Sequence, residues 1–193
     1  MKKYYGGEVE KARNNFPFDY PPFHREFLHA LLTLKTATAR ANARAGTIPA
    51  PIAAAIETAA DTLLKDEKLL TAQFPLPGFM GGAGTSIHMN ANEVLANMAT
   101  EILAKKGGKH KTIVHPNDHV NYGQSTNDVN PSALKIASVA LIVKLEKTVA
   151  AFAAAFEKRG REYKGVLKLG RTHMQDAVPI TLGQEFVAYA AII

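Results

Sequence analysis

Apolar residues recur three and four positions apart over several long stretches of this chain, the spacing of a helix that buries one face. Between Phe23 and Ala45 the pattern is carried by Phe27, Leu28, Leu31, Leu32, Leu34 and Ala39, and Gly46 closes the run as a glycine just past a helix does. Pro49 and Pro51 open a second, alanine-rich helix over Ile52 to Leu64. A third runs from about Ile87 to Lys106 and meets Gly107-Gly108. Pro131 starts the longest, which reaches Arg159 ahead of Gly160. Its apolar residues, from Leu134 and Ile136 to Phe152 and Phe156, cover much of the circumference. At 1.5 Å per residue it is about 43 Å long, and so long and apolar a helix wants partners on more than one side, in a bundle or an oligomer.

Other stretches lack this period. Residues 1–23 read as irregular, because Gly6, Gly7, Pro17, Pro21 and Pro22 interrupt every candidate run. Gly107 to Asn130 reads as a loop, long for a compact domain; such loops are functional or disordered, and the polar side chains of this one favour function. Val166 to Leu169 is a short strand candidate ahead of the polar segment Gly170 to Asp176. Thr181 to Ile193 reads as a helix with no Gly, Pro or basic last turn to close it, a pattern cut in mid-helix. The expected fold class is mostly α.

Composition narrows the function classes. At 193 residues, 47% hydrophobic and 21% charged, the chain has the means to build a core and is not a disordered tail. It has no Cys, which excludes a disulfide frame, a thiolate nucleophile and thiolate metal ligands. No run of 18 apolar residues exists to span a membrane. The start, Met-Lys-Lys-Tyr-Tyr-Gly-Gly, has no apolar stretch behind its charges and is not a signal peptide, so a soluble cytoplasmic protein is expected. The net charge of +6 is scattered, without a basic stripe or interleaved aromatics, and no nucleic-acid partner is expected.

Three polar islands carry the candidate chemistry. Gly81-Gly82-Ala83-Gly84-Thr85-Ser86 stands directly before the third helix, where free N–H groups and the dipole favour a carboxylate or phosphate; a flexible turn with a cap explains it as well. It is not a P-loop, for no Lys precedes Thr85. Gln124-Ser125-Thr126-Asn127-Asp128 precedes the longest helix with more polar residues than one cap needs, the cheapest cap being Asn127 or Asp128. Gly170-Arg171-Thr172-His173-Met174-Gln175-Asp176 offers one imidazole for proton transfer, against the structural role a lone His usually has. His110, His115 and His119 raise a metal site, but Pro116 argues against a helix presenting His115 and His119 on one face, and no metal is expected.

Taken together, Gly81 to Asn97, His115 to Asn121 with Gln124 to Asp128, and Gly170 to Phe186 resemble the aspartase/fumarase superfamily. The resemblance runs from about Tyr4 to the last residue and is nearer to aspartate ammonia-lyases. Fumarases usually read Gly-Ser-Gly-Thr where this chain has Gly82-Ala83-Gly84-Thr85, and Gln-Ser-Ser-Asn-Asp where it has Gln124 to Asp128. The resemblance implies an N-terminal helical domain over residues 1–126, then, over 127–193, the first part of a long-helix bundle built in a homotetramer. It also implies reversible anti-elimination of ammonia from L-aspartate to fumarate through an enediolate, with no cofactor. Thr85, Ser125 and Thr126 would hold the carboxylate that takes up the charge. Asn127 and the catalytic His173 would face the amino group, and Thr172 would help hold the other carboxylate. His115, Asn117 and Asp118 match a second anion site of fumarases.

The chain departs from the family in two places. Glu8-Val9 and Lys11 stand where the family carries Gln-Thr and an Arg. The Gly-Ser-Ser loop with the catalytic serine, and the Lys and Asn that follow it, do not occur in residues 1–193, so the chain alone is expected to be inactive. Two other readings compete: class II fumarate hydratase, and a non-catalytic assembly protein of the same fold. A scaffold need keep only the apolar positions, so the joint presence of Thr85, Ser125, Thr126, Asn127 and His173 argues against the second.

Overall fold

The computed structural model describes residues 2–105 and 113–193. In chain order the elements are α1 (Gly7–Asn15), α2 (Arg25–Arg44), α3 (Ala50–Lys65), α4 (Glu67–Gln73), α5 (Thr85–Lys105), a π-type turn (Pro116–Val120), α6 (Thr126–Glu162), the strands β1 (Leu167–Thr172) and β2 (Gln175–Thr181), and α7 (Leu182–Ile192). They fall into two compact units, Met1–Ser138 and Val139–Ile193. Among the described residues no helix is long and apolar enough to cross a membrane.

The first unit is built on the expected apolar stripes. Leu28, Leu31 and Leu32 of α2, Ile52, Ile56 and Leu63 of α3, and Ile87, Val94 and Leu95 of α5 form one buried cluster, joined by Val129, Ala133 and Ala137 of α6. Alanines at 55, 59 and 60 keep the packed face of α3 narrow, which lets neighbouring axes approach. The expected stop of the third helix at Lys106 and Gly107-Gly108, and His110, lie outside the described residues.

Several elements differ from the sequence reading. Residues 7–15 are helical, not irregular: the buried carboxylate of Glu93 accepts the N–H groups of Gly6 (2.8 Å), Glu8 (2.9 Å) and Val9 (3.4 Å), capping α1 from α5. A Cβ on Gly6 would come within 2.9 Å of that carboxylate. The short α4 was not expected; Asp66 caps it by accepting from the Leu69 N–H at 2.9 Å, and Leu70 anchors it in the core. The segment 116–120, expected as loop, is a helical turn with bonds from Val120 N–H to His115 O and from Asn121 N–H to Pro116 O, five residues back. α6 begins at Thr126 rather than Pro131. Inside the second helical turn Pro131 forfeits only the bond to the Asn127 carbonyl, a loss the helix absorbs so near its end.

In the second unit β1 and β2 pair antiparallel from Leu167↔Thr181 to Thr172↔Gln175, with a bulge between Leu169 and Arg171. The polar segment expected after a short strand is thus the end of a hairpin. Thr181 and Gln184 close a capping box that starts α7. α7 lies against the last turns of α6 through two glycines: a Cβ on Gly183 would meet the Gly160 carbonyl at 2.4 Å. Phe156 packs beside them, 5.7 Å from Phe186 and 5.8 Å from Tyr189.

Candidate active site

Two polar contacts fasten the first turns of α5 and α6 to one another. The loop into α5 turns left-handed at three successive residues, Gly82 (φ 83°), Ala83 (φ 47°) and Gly84 (φ 84°). Asn130 Nδ2 donates to the Gly84 carbonyl at 2.8 Å and to that of Ala83 at 3.3 Å. A Cβ on Gly84 would stand 1.7 Å from that nitrogen, so only glycine fits. Ala83 holds a conformation that costs an L-residue about 1–2 kcal/mol, a kind of strain that clusters at functional sites. The second contact joins His88 Nδ1 to Thr126 Oγ1 at 2.8 Å.

The geometry brings four of the expected donors to these helix ends. Thr85 is the first residue of α5 and is exposed. Ser125 caps α6: its Oγ accepts from Asn127 N–H at 3.1 Å, and its carbonyl accepts from Asp128 and Val129. The cap is therefore Ser125, not Asn127 or Asp128, because the helix starts at Thr126, two residues earlier than a cap at Asn127 would require and three earlier than one at Asp128. The bond uses the acceptor side of the Ser125 hydroxyl and leaves its O–H to donate outward. Thr126 is half-buried, and Asn127 is exposed in the first turn. The dipole at the start of α6 favours an anion beside these hydroxyls.

Behind Thr126 lies a buried polar network that sequence reasoning missed. Lys35 of α2 has no exposed surface, and its Nζ lies 2.6 Å from His88 Nε2, 2.8 Å from Gln124 Oε1 and 3.1 Å from Asn121 Oδ1. Burial pushes the Lys35 ammonium down to about 7. Burial first, and the Lys35 charge second, push the His88 imidazole down to about 4, so it is neutral at neutral pH. A signal did exist. Lys35 falls four residues after Leu31 and four before Ala39, on the apolar stripe of α2, where a charge needs a reason. His88 likewise sits three residues before Ala91 and seven before Leu95, on the buried face of α5.

His115, Asn117 and Asp118 meet in the 116–120 turn. His115 Nδ1 accepts from the backbone N–H of Asn117 (3.3 Å) and Asp118 (3.2 Å), so the neutral ring carries its proton on Nε2. Asp118 Oδ2 stands 3.1 Å from the same Nδ1, and would pair with it only if a proton there displaced the two backbone donors. His115 N–H donates to His119 Nδ1 at 2.8 Å, so the helical turn does bring these two histidines together despite Pro116. Among the described residues no three His, Cys, Asp or Glu side chains gather into a group that could hold a metal.

Thr172 and His173 belong to the second unit, at the tip of the hairpin. His173 (φ 48°) and Met174 (φ 61°) form its two-residue turn, both left-handed, and both are exposed. Such a turn is cheapest with Asn or Gly; here it spends strain on an imidazole held out from the protein. Separately, an apolar groove of about 500 Å³ in the first unit is lined by Tyr20, Phe23, Phe27 and Leu134 together with Gly84 and Asn130. None of the expected donors lines it.

The profile of the lyase family matches residues 3–193. Over 187 residues, 96% of this chain and 39% of the relative, the sequence is 45% identical to a class II fumarate hydratase of Halobacterium salinarum. Over 192 residues, 98% of this chain and 39% of the relative, it is 44% identical to an aspartate ammonia-lyase of Bacillus subtilis. The crystal structure of a "fumarate lyase:delta crystallin" from Brucella melitensis superposes with a TM-score of 0.84 at 44% identity, covering 100% of this chain and 43% of its own. The chain thus spans about two fifths of the length of these curated relatives, and the two identities do not separate deamination from hydration.

Proposed function

Because the chain belongs to the lyase family, within the aspartase/fumarase superfamily, we propose that it forms part of an aspartate ammonia-lyase, supplying the groups that hold the substrate carboxylates. The observation that carries this reading is the fastening of the α5 and α6 N-termini, which places Thr85, Ser125 and Thr126 at two joined helix starts whose dipoles favour an anion.

Deprotonation of aspartate at C3 places negative charge on the adjacent carboxylate as an enediolate, and donors fixed in advance stabilise that charge as in an oxyanion hole. Thr85, Ser125 and Thr126 take this role. Asn127 and His173 face the departing amine, and Thr172 steadies the other carboxylate. The base that removes the C3 proton comes from a segment outside residues 1–193, so the chain by itself binds a dicarboxylate but releases no ammonia. No metal or cofactor enters this scheme. His115, Asn117 and Asp118 form a second anion site. Residues 1–126 and 127–193 serve respectively as the domain carrying the anion-binding loops and the start of a central bundle.

The bundle reading is supported by the exposed apolar residues of α6, among them Val139, Ile142, Val143 and Leu145. A homotetramer in the cytoplasm would cover them. The 45% identity to a fumarate hydratase favours a second reading, loss of water from malate. Fumarate release from L-aspartate and from L-malate, followed by ultraviolet absorbance on the active assembly that contains this chain, decides between them. A higher kcat/KM for aspartate is expected, motivated by Ala83 and Thr126 where fumarases carry Ser. A higher value for malate makes the protein a hydratase. No turnover of either substrate makes it a non-catalytic member of the fold.

A further inference from the structure

A lysine buried without a carboxylate raises the question of what it holds. The amide groups of Asn121 and Gln124 are oriented from their far sides: Asn121 Nδ2 donates to the Gln124 carbonyl at 3.3 Å, and Gln124 Nε2 to that of Val120 at 2.9 Å. Their oxygens therefore face Lys35 and can only accept. An ammonium has three N–H bonds and no lone pair, and the third bond is directed at His88 Nε2. A neutral imidazole that accepts at Nε2 carries its proton on Nδ1. That N–H then donates to Thr126 Oγ1, and the Thr126 O–H is left to donate elsewhere.

We propose that Lys35 and His88 are positioning residues which set the hydrogen-bond polarity of Thr126, presenting its hydroxyl as a donor to a carboxylate ligand at the α6 N-terminus. The ligand half of this statement rests on the reading of Thr126 given above; the polarity half does not. The relay also has a reversed form. A neutral amine at Lys35 keeps two N–H bonds for the two amide oxygens and accepts Nε2–H with its lone pair. His88 Nδ1 then accepts the Thr126 O–H, and the donor is withdrawn from the ligand.

The groups that face Lys35 are His88 from α5 and the uncharged amides of Asn121 and Gln124 from the segment before α6, with Thr126 of α6 beyond the imidazole. Among the described residues no carboxylate pairs with Lys35 or His88, and the charge of the lysine alone selects the form. Between pH values of about 4 and about 7 the lysine is charged while the imidazole is neutral. The donating form occupies that window.

The test is the ring nitrogen spectrum of His88 in the full chain labelled with 15N-histidine, assigned by the signal lost in His88→Asn. At about pH 6 the expected state is the neutral Nδ1–H tautomer, and at about pH 9, without ligand, the Nε2–H tautomer. An Nε2–H tautomer or an imidazolium at the lower pH overturns the proposal, and this needs no variant to fold. Fumarate affinity by calorimetry supplies the second arm. His88→Leu is expected to weaken fumarate roughly tenfold. His88→Asn, whose amide N–H stands where ring Nδ1 stands, restores it. In a Thr126→Val background neither substitution has a further effect. Additive losses overturn the positioning role. If Thr126→Val leaves fumarate affinity unchanged while the tautomer is as expected, the substrate reading of Thr126 falls and the polarity relay stands.

Discussion

The two units of this chain differ in what they bury. The buried apolar side chains of the described residues, from Val9 to Ala137, belong to Met1–Ser138. In Val139–Ile193 the buried positions are glycines, Gly160, Gly170 and Gly183, while Val139, Ile142, Val143, Leu145 and Phe152 are exposed. The first unit thus has a core of its own and spends part of it on a polar network. The second is held by backbone contact and an aromatic cluster, and its apolar side chains remain available to neighbours. Polar side chains follow the same division: the fastened starts of α5 and α6 are braced from behind by Lys35 and His88 in the first unit, whereas His173 is displayed on a strained turn in the second.

Paired substitutions break or sharpen this contrast. Leu31→Ala in the core of the first unit is expected to cost 2–5 kcal/mol in denaturant unfolding, the largest effect foreseen. A loss below about 1 kcal/mol would mean that this unit is not the stable one. Lys35→Met acts through pH. In the native state the lysine titrates near 7 instead of 10.5, so between those values the unfolded chain binds more protons and stability rises with pH. The Met variant is expected to lose that rise and to gain most below pH 7, where the buried charge is fully present; an unchanged slope would show that Lys35 is not desolvated.

Smaller effects belong to the second unit. His173→Asn relieves a left-handed His and is expected to raise stability by a few tenths of a kcal/mol, while turnover of the active assembly falls about 10²–10⁴-fold. A variant that is less stable but equally active per folded molecule would make this histidine structural. Val143→Gln is expected to change unfolding by under about 0.5 kcal/mol, yet to reduce self-association measured by sedimentation. Equal association of both forms would leave the exposed face without a partner.

Much of the first unit was legible because its helices bury a single stripe. The spacing of Leu28, Leu31 and Leu32, or of Ile52, Ile56 and Leu63, states the buried face directly. What the pattern did not state depends on residues far away in sequence. α1 exists because Glu93, more than eighty residues on, caps it. The start of α6 at Thr126 depends on the Ser125 cap, which the helix-starting rule for proline concealed. The hairpin was hidden by its turn, since His173-Met174 carries none of the Asn or Gly that marks a two-residue connection. The polar islands were readable as motifs, but the pair behind them was not, because Lys35 and His88 lie within apolar stripes and acquire meaning only when α2 and α5 pack.

The central claim is that the fastened ends of α5 and α6 form a carboxylate site. It is tested most directly by the affinity of fumarate for the chain and for its Ser125→Ala/Thr126→Val double variant, with folding of both verified by circular dichroism. The account predicts binding that the double variant weakens by about 10²-fold, for two charge-assisted hydrogen bonds lost. Equal affinity in the two proteins would contradict it.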